Sequence, residues 1–230
     1  MAINPSAAWA EILLCSGYPT QLVIAAALLA SGLRPVNDGQ SLSPSFFFAL
    51  SLIDTLVLLT LILVLLIRRG ERPTEVFVGR RPAAGEVAFG VLSAPLVLTV
   101  VVAMMAGLLR LAPQLHNVAK NPLENLLTTG AGIWMFLFVA IVAGGVREEL
   151  QRAFLLHRFK AGLGRPWTGL LITSLSFGLG HTIQGNDAAI MTGTLGALWG
   201  AMSLVRGGAI ASIVSHSLFN SVELLRVLVR

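Results

Sequence analysis

Seven stretches of 15 to 23 residues carry few or no charges, and no other feature limits so sharply what this chain can become. A helix needs about 20 mainly apolar residues to cross a bilayer, and lipid offers no partner for an unpaired backbone group, so spanning segments close on themselves as helices or barrels. The runs are continuous rather than alternating, which selects helices. They are Ile12–Leu33, with Pro19 as a kink or break, Ser45–Ile67, with a lone Asp54, Val87–Leu109, Leu126–Val146, Trp167–His181, Ala188–Val205 and Gly208–Val229. The fourth continues past Glu148 and Glu149 through good helix formers toward Phe159. The expectation is an all-α, polytopic transmembrane helix bundle of about seven spans. It forms a single domain over residues 1–230, with a chemically active core at about 126–229.

Composition agrees. Apolar residues make up 55% of the chain and charged ones 12%, against roughly 45–50% and 25% in soluble domains. The net charge of +5 comes from bases gathered in short loops, the pattern of a topology determinant rather than of a nucleic-acid surface. Five arginines fall between Arg68 and Arg81, and Arg158, Lys160 and Arg165 follow the fourth window. Both groups lie on one side if seven spans alternate. The positive-inside rule makes that side cytoplasmic, with the N-terminus inside and the C-terminus outside, although Arg226 and Arg230 sit at the outer end. No base precedes Arg34, so the first window reads as a retained helix rather than a signal peptide. The single cysteine, Cys15, leaves no intramolecular disulfide and reads as a small core residue. The location expected is a bacterial inner membrane.

Against this background three polar groups stand out, because an ionisable side chain at membrane depth costs about 2.5–3.5 kcal/mol on insertion scales and is usually paired, inward and functional. In "REELQRAF", Glu148 and Glu149 precede Arg152 by four and three residues, so on a helix the guanidinium reaches either acid. One acid is then neutralised and the other is free to act on water. The competing reading is a solvated charge cluster at a helix end. In "SFGLGHTIQG", Phe177 and His181 share a helix face, and an imidazole there moves a proton, binds a metal, or merely bonds a nearby carbonyl. In "SHSLFN", His216 and Asn220 share a face, as oxyanion donors or as polar glue between helices.

Taken together the three motifs supply an acid or base pair, a histidine partner and a donor pair. Neither a His-Glu-x-x-His zinc motif nor a Gly-x-Ser-x-Gly elbow occurs. Asp54 reads as the partner of Thr55 or of an arginine on another helix. Glu223 lies near the face of His216 and Asn220, where it reads as interfacial rather than as lining the outer end of their cavity, and surface roles are expected for His116 and His157.

The order Glu-Glu with a following Arg, then Phe-x-x-x-His, then His-x-x-x-Asn, over Arg147 to Asn220, resembles the CPBP intramembrane proteases, which include type II CAAX prenyl endopeptidases and bacterial Abi proteins. That family places three residues between its second Glu and the Arg, whereas here only Leu150 and Gln151 intervene. The resemblance implies hydrolysis of a peptide bond of a membrane-associated peptide or protein. Glu148 and His181 would activate water, His216 and Asn220 would hold the oxyanion, and Glu149 with Arg152 would support the site. Family members are often described as metalloproteases, so Glu148, His181 and His216 would be the ligands if zinc is used, and a metal-free glutamate mechanism fits the same residues. The partners implied are the bilayer and the peptide substrate, with no nucleic acid. The alternatives are a proton-coupled carrier, disfavoured by the absence of matching halves, and a noncatalytic protein of the bacteriocin-immunity type.

Overall fold

The computed structural model describes residues 3–37, 41–127 and 129–229. Arg230, counted above among the outer bases, lies outside them. Among the described residues the chain is helical, without a strand, and a single isolated bridge joins Val36 and Leu42. The elements are α1 (Pro5–Leu14), α2 (Tyr18–Ala30), α3 (Pro44–Arg68), α4 (Pro73–Phe77), α5 (Ala83–Leu111), α6 (Gly130–Val139), a π-helical segment (Ala140–Arg147), α7 (Glu148–Leu163), α8 (Pro166–Leu179), α9 (Asn186–Arg206) and α10 (Ile210–Leu228). This is a multi-pass membrane architecture.

Five helices are long and apolar enough to cross a membrane: Pro5–Ala30, Pro44–Arg68, Ala83–Leu111, Gly130–Leu163 and Asn186–Arg206. The other two expected spans fall outside that set for different reasons. The Trp167–His181 window becomes α8, whose 14 residues reach only about 21 Å at 1.5 Å per residue. The last window becomes α10, a 19-residue helix in which Ser212, Ser215, His216, Ser217, Asn220, Ser221 and Glu223 interrupt the apolar sequence.

Local sequence explains the ends. Pro19 takes the second position of α2, where its missing N–H is harmless, and the break between α1 and α2 falls at Cys15–Gly17. Ser43 caps α3 and Thr129 caps α6 through their hydroxyls, each satisfying an orphan N–H. The fourth span starts later than its window because Pro122–Leu127 forms a 3-10 turn. Gly207, in the left-handed region at φ 74°, ends α9 and turns the chain into α10.

Helix α7 is the central element, with Gln151 to Leu156, Arg158 and Phe159 all buried. A helix buried nearly all round lies in the interior of a bundle. Phe154, Leu155 and Phe159 pack with Ile12 and Cys15 of the N-terminal segment and Leu58, Ile62 and Leu66 of α3, so Cys15 is the core residue expected. A second core joins Val97 and Val101 of α5 to Leu195 and Trp199 of α9. Outward, Leu22, Leu56 and Leu92 are each at least 70% exposed, an apolar surface suited to lipid.

The two arginine-rich regions meet at one end of the bundle, as the alternation of spans requires. Arg158 of α7 donates to Glu11 (2.5 Å) and to Glu71 (2.6 Å), and Arg69 donates to the same Glu11 (2.5 Å). The stretch between Arg68 and Pro82, expected as a plain loop, contains the short helix α4.

Candidate active site

The chain reaches Glu148 through a change of helix type. From Ala140 to Arg147 the rod is π-helical, a wider turn carrying one extra residue, and α geometry resumes at Glu148. The wide segment lies close against α10. A Cβ on Gly144 would sit 2.6 Å from the Asn220 amide nitrogen, and one on Gly145 would overlap the Ser217 side chain. Asn220 itself donates from Nδ2 to the Ala140 carbonyl at 2.9 Å.

Adjacent residues on a helix diverge by about 100°, so the two glutamates face different surroundings. Glu149 is fully buried, and its Oε1 accepts from Arg152, three residues on, and pairs with Nδ1 of His216 at 2.9 Å. Its Oε2 has no hydrogen-bond partner. Glu148 retains 20% side-chain exposure, and its Oε2 lies 3.9 Å from Nε2 of the same His216. The imidazole therefore sits between the two acids, one at each nitrogen. Arg152 is committed to Glu149, which leaves Glu148 as the partly exposed acid without an arginine partner among the described residues.

Aromatic rings fix this imidazole. Trp199 stacks on His216 with centroids 3.7 Å apart and planes 15° from parallel, and its indole N–H donates to Ser215 at 3.2 Å. Phe177 stands edge-on to His216 at 6.4 Å and to His181 at 4.8 Å, and the Arg152 guanidinium lies 4.6 Å above the Phe177 ring. His181, at the end of α8, places Nδ1 2.8 Å from the Phe177 carbonyl. A carbonyl accepts only, so Nδ1 carries the proton in the neutral ring and Nε2 is left as the acceptor.

Four of the six expected residues, Glu148, Glu149, Arg152 and His216, are in immediate contact, and Phe177 links His181 to them. Asn220 follows one turn beyond His216. The two-residue gap before Arg152 does not prevent its pairing, because a residue three positions on reaches back along the same helix face. Among the described residues no three His, Cys, Asp or Glu side chains form a group able to hold a metal ion. The donor types of Glu148, His181 and His216 suit zinc, yet their arrangement does not assemble them around one point.

Two supports of the site went unnoticed in the sequence. Trp199 is one; it is the sole aromatic residue of α9, and that isolation among glycines and alanines was its only signal. The other is Arg147, which donates to Asp54, while Thr20 donates to the other Asp54 oxygen at 2.5 Å and Gln151 bonds the Cys15 carbonyl at 2.8 Å. Asp54 thus pairs with an arginine from another helix, not with Thr55, whose hydroxyl bonds Ser51 instead. His116 pairs with Asp187 at 2.7 Å and Glu223 with the exposed Arg226, both away from the contacts around His216.

Comparison with protein families matches residues 129–222 to type II CAAX prenyl endopeptidase Rce1-like. Over that segment the chain is similar to the CAAX protease family. The matched segment contains all six expected site residues together with Phe177 and Trp199, and it begins at the hydroxyl cap of α6. No curated protein and no solved structure matches the chain. In the matched segment the three motifs come from α7, the end of α8 and α10, with α9 holding the imidazole from behind.

Proposed function

We propose that the protein is an intramembrane endopeptidase that hydrolyses a peptide bond of a membrane-associated peptide or protein, using Glu148 as the base. The observation that carries this reading is the division of the glutamate pair. Glu149 is consumed by Arg152 and His216, while Glu148 stays accessible beside Nε2 of His216. A water at hydrogen-bonding distance from both the Glu148 carboxylate and that nitrogen fits to one side of their 3.9 Å separation.

In the proposed reaction Glu148 takes a proton from the water as its oxygen bonds to the scissile carbonyl carbon. Nε2 of His216 and Nδ2 of Asn220 donate to the oxygen as it gains charge. Asn220 has two amide hydrogens and spends one on Ala140, so the second is available. Donation by His216 from both nitrogens uses the doubly protonated ring, whose charge the two flanking glutamates balance. Collapse of the tetrahedral species breaks the C–N bond, and the proton held by Glu148 passes to the leaving amine. His181 orients the water through Nε2. Glu149 and Arg152 act through His216 and are positioning residues.

The experiment follows cleavage of a membrane-anchored peptide by the purified full chain, by Glu148→Gln and by His181→Ala. Wild type cleaves and both variants lose activity; turnover retained in both would sink the assignment. Chelation followed by zinc readdition reads whether a metal takes part. A chelator-insensitive enzyme works by glutamate alone, and rescue by zinc assigns Glu148, His181 and His216 a ligand role after rearrangement. The same preparation addresses the carrier and immunity readings, because substrate bound without turnover would support a noncatalytic protein. The proposed setting is a bacterial inner membrane, with the arginine-rich end cytoplasmic.

A further inference from the structure

At the basic end of the bundle, far along α7 from the glutamates, a cavity of about 720 Å³ opens between α4, the start of α5, the end of α7 and the α9–α10 turn. The bases on its wall are Arg72, Arg80, Arg81, Lys160 and Arg206, and the acids are Glu71 and Glu75. The acids are already engaged. Glu71 accepts from the fully buried Arg158, Glu75 faces Arg72, and Arg206 is held by both oxygens of Glu86 outside the cavity. Arg80, Arg81 and Lys160 form no salt bridge among the described residues, and only Arg81 acts on a nearby carboxylate, Glu86, which Arg206 already occupies, so the cavity keeps an excess of positive charge supplied by two separate elements.

The cavity continues into a recess of about 130 Å³ that shares Glu75, Val76, His157, Lys160 and Gly207 with it and adds Ala153, Leu156, Ser203 and Leu204, with Glu75 turned to Arg72. A basic mouth over an apolar floor is the shape of an amphiphile. The walls are held in place by backbone. The Phe77 carbonyl accepts from the Ala209 amide at 2.7 Å, and Gly79 and Gly207, both at positive φ, approach so closely that a Cβ on Gly79 would overlap the Gly207 carbonyl. Arg80 and Arg81 lie just before α5, whose first turns expose Val87 and Phe89, so charged and apolar surface adjoin at the opening.

We propose that this cavity binds the phosphate headgroup of an anionic phospholipid, with Arg80, Arg81 and Lys160 around the phosphate and the start of an acyl chain against Val76, Leu156 and Leu204. Cytoplasmic-side basic pockets between membrane helices suit such headgroups. Free phosphate shares the charge but makes no use of the apolar recess. The site is separate from Glu148, and it is read by binding rather than turnover, so it stands or falls independently of the protease assignment.

The test uses the full chain in neutral detergent micelles doped with phosphatidylglycerol, phosphatidylcholine or inorganic phosphate, with the thermal unfolding midpoint as readout. Phosphatidylglycerol raises the midpoint of wild type at a lower mole fraction than phosphatidylcholine does. The triple variant R80Q/R81Q/K160Q needs on the order of a hundredfold more, about fivefold per base removed. A control with bases replaced at the opposite end, R34Q/K120Q, responds as wild type. Where the triple variant is too unstable to measure, K160Q alone carries the same prediction at about fivefold. An unchanged response in the triple and single variants, equal stabilisation by phosphatidylcholine, or full stabilisation by inorganic phosphate alone would overturn the proposal.

Discussion

Replacing Arg152 with methionine removes a charge from one of the most enclosed ion pairs in the molecule, and the consequences follow from what Glu149 has left. The Arg152 and Glu149 side chains are 4% and 0% exposed. Glu149 uses Oε1 for both Arg152 and His216, and Oε2 has no partner. Without the guanidinium, a fully buried carboxylate keeps a single hydrogen bond, from His216. Breaking a buried pair from one side costs about 3–5 kcal/mol, and the lost contact with Phe177 adds about 1 kcal/mol. The double variant E149Q/R152M removes both charges and leaves a neutral amide that still accepts from His216. Replacement of a whole buried pair is often close to neutral, so the double variant recovers to within about 2 kcal/mol of wild type. The assay is equilibrium unfolding of the full chain in mixed micelles, with the four proteins of the double-mutant cycle compared under one condition. An R152M single variant within about 1 kcal/mol of wild type, or a double variant no more stable than that single one, would refute the buried-pair reasoning.

Three further outcomes follow. Asp54→Ala strips Arg147 of its carboxylate and destabilises the chain by about 3–5 kcal/mol in the same unfolding assay, while D54A/R147M restores most of that loss. Gly145→Val forces α10 away from the π-helical segment. Its destabilisation, about 1–3 kcal/mol as for an overpacked core, is accompanied by loss of peptide cleavage, and G145V with wild-type turnover would contradict the placement of Asn220. Trp199→Ala removes a buried ring worth about 3–5 kcal/mol, whereas Trp199→Phe keeps a stacking face on His216 and retains more turnover, measured as a kcat change at constant KM.

Much of this arrangement is legible in the residues, because lipid permits so few solutions. The runs of Ser45–Ile67 and Val87–Leu109 became α3 and α5 with ends shifted by a few residues, and Pro19 marked the break between α1 and α2. At the C-terminal end two of the expected windows form helices outside the five that are long and apolar enough to cross a membrane, because α8 is short and α10 carries the site's polar residues. Within the site, the pairing of Glu149 with Arg152 was readable because both lie on one helix. The stack of Trp199 on His216 joins different helices, and periodicity within α9 says nothing about its neighbour. The π-helical segment left only the Gly144–Gly145 pair as a mark: the apolar run Ala-Ile-Val-Ala before it reads like any α-helical stretch, and the wide turn lies where these glycines meet α10.

That segment divides one rod into two independently set faces. The 34 residues from Gly130 to Leu163 read as a single helix crossing the membrane, yet the face that α6 shows its surroundings and the face that α7 turns toward His216 are related through a turn with one residue too many. Winding the same eight residues as a uniform α-helix would swing every later side chain by about 100° relative to α6, carrying Glu148 and Glu149 off their imidazole together. The wide turn therefore sets where the two glutamates face, although nearly all of the segment's side chains are small or aliphatic.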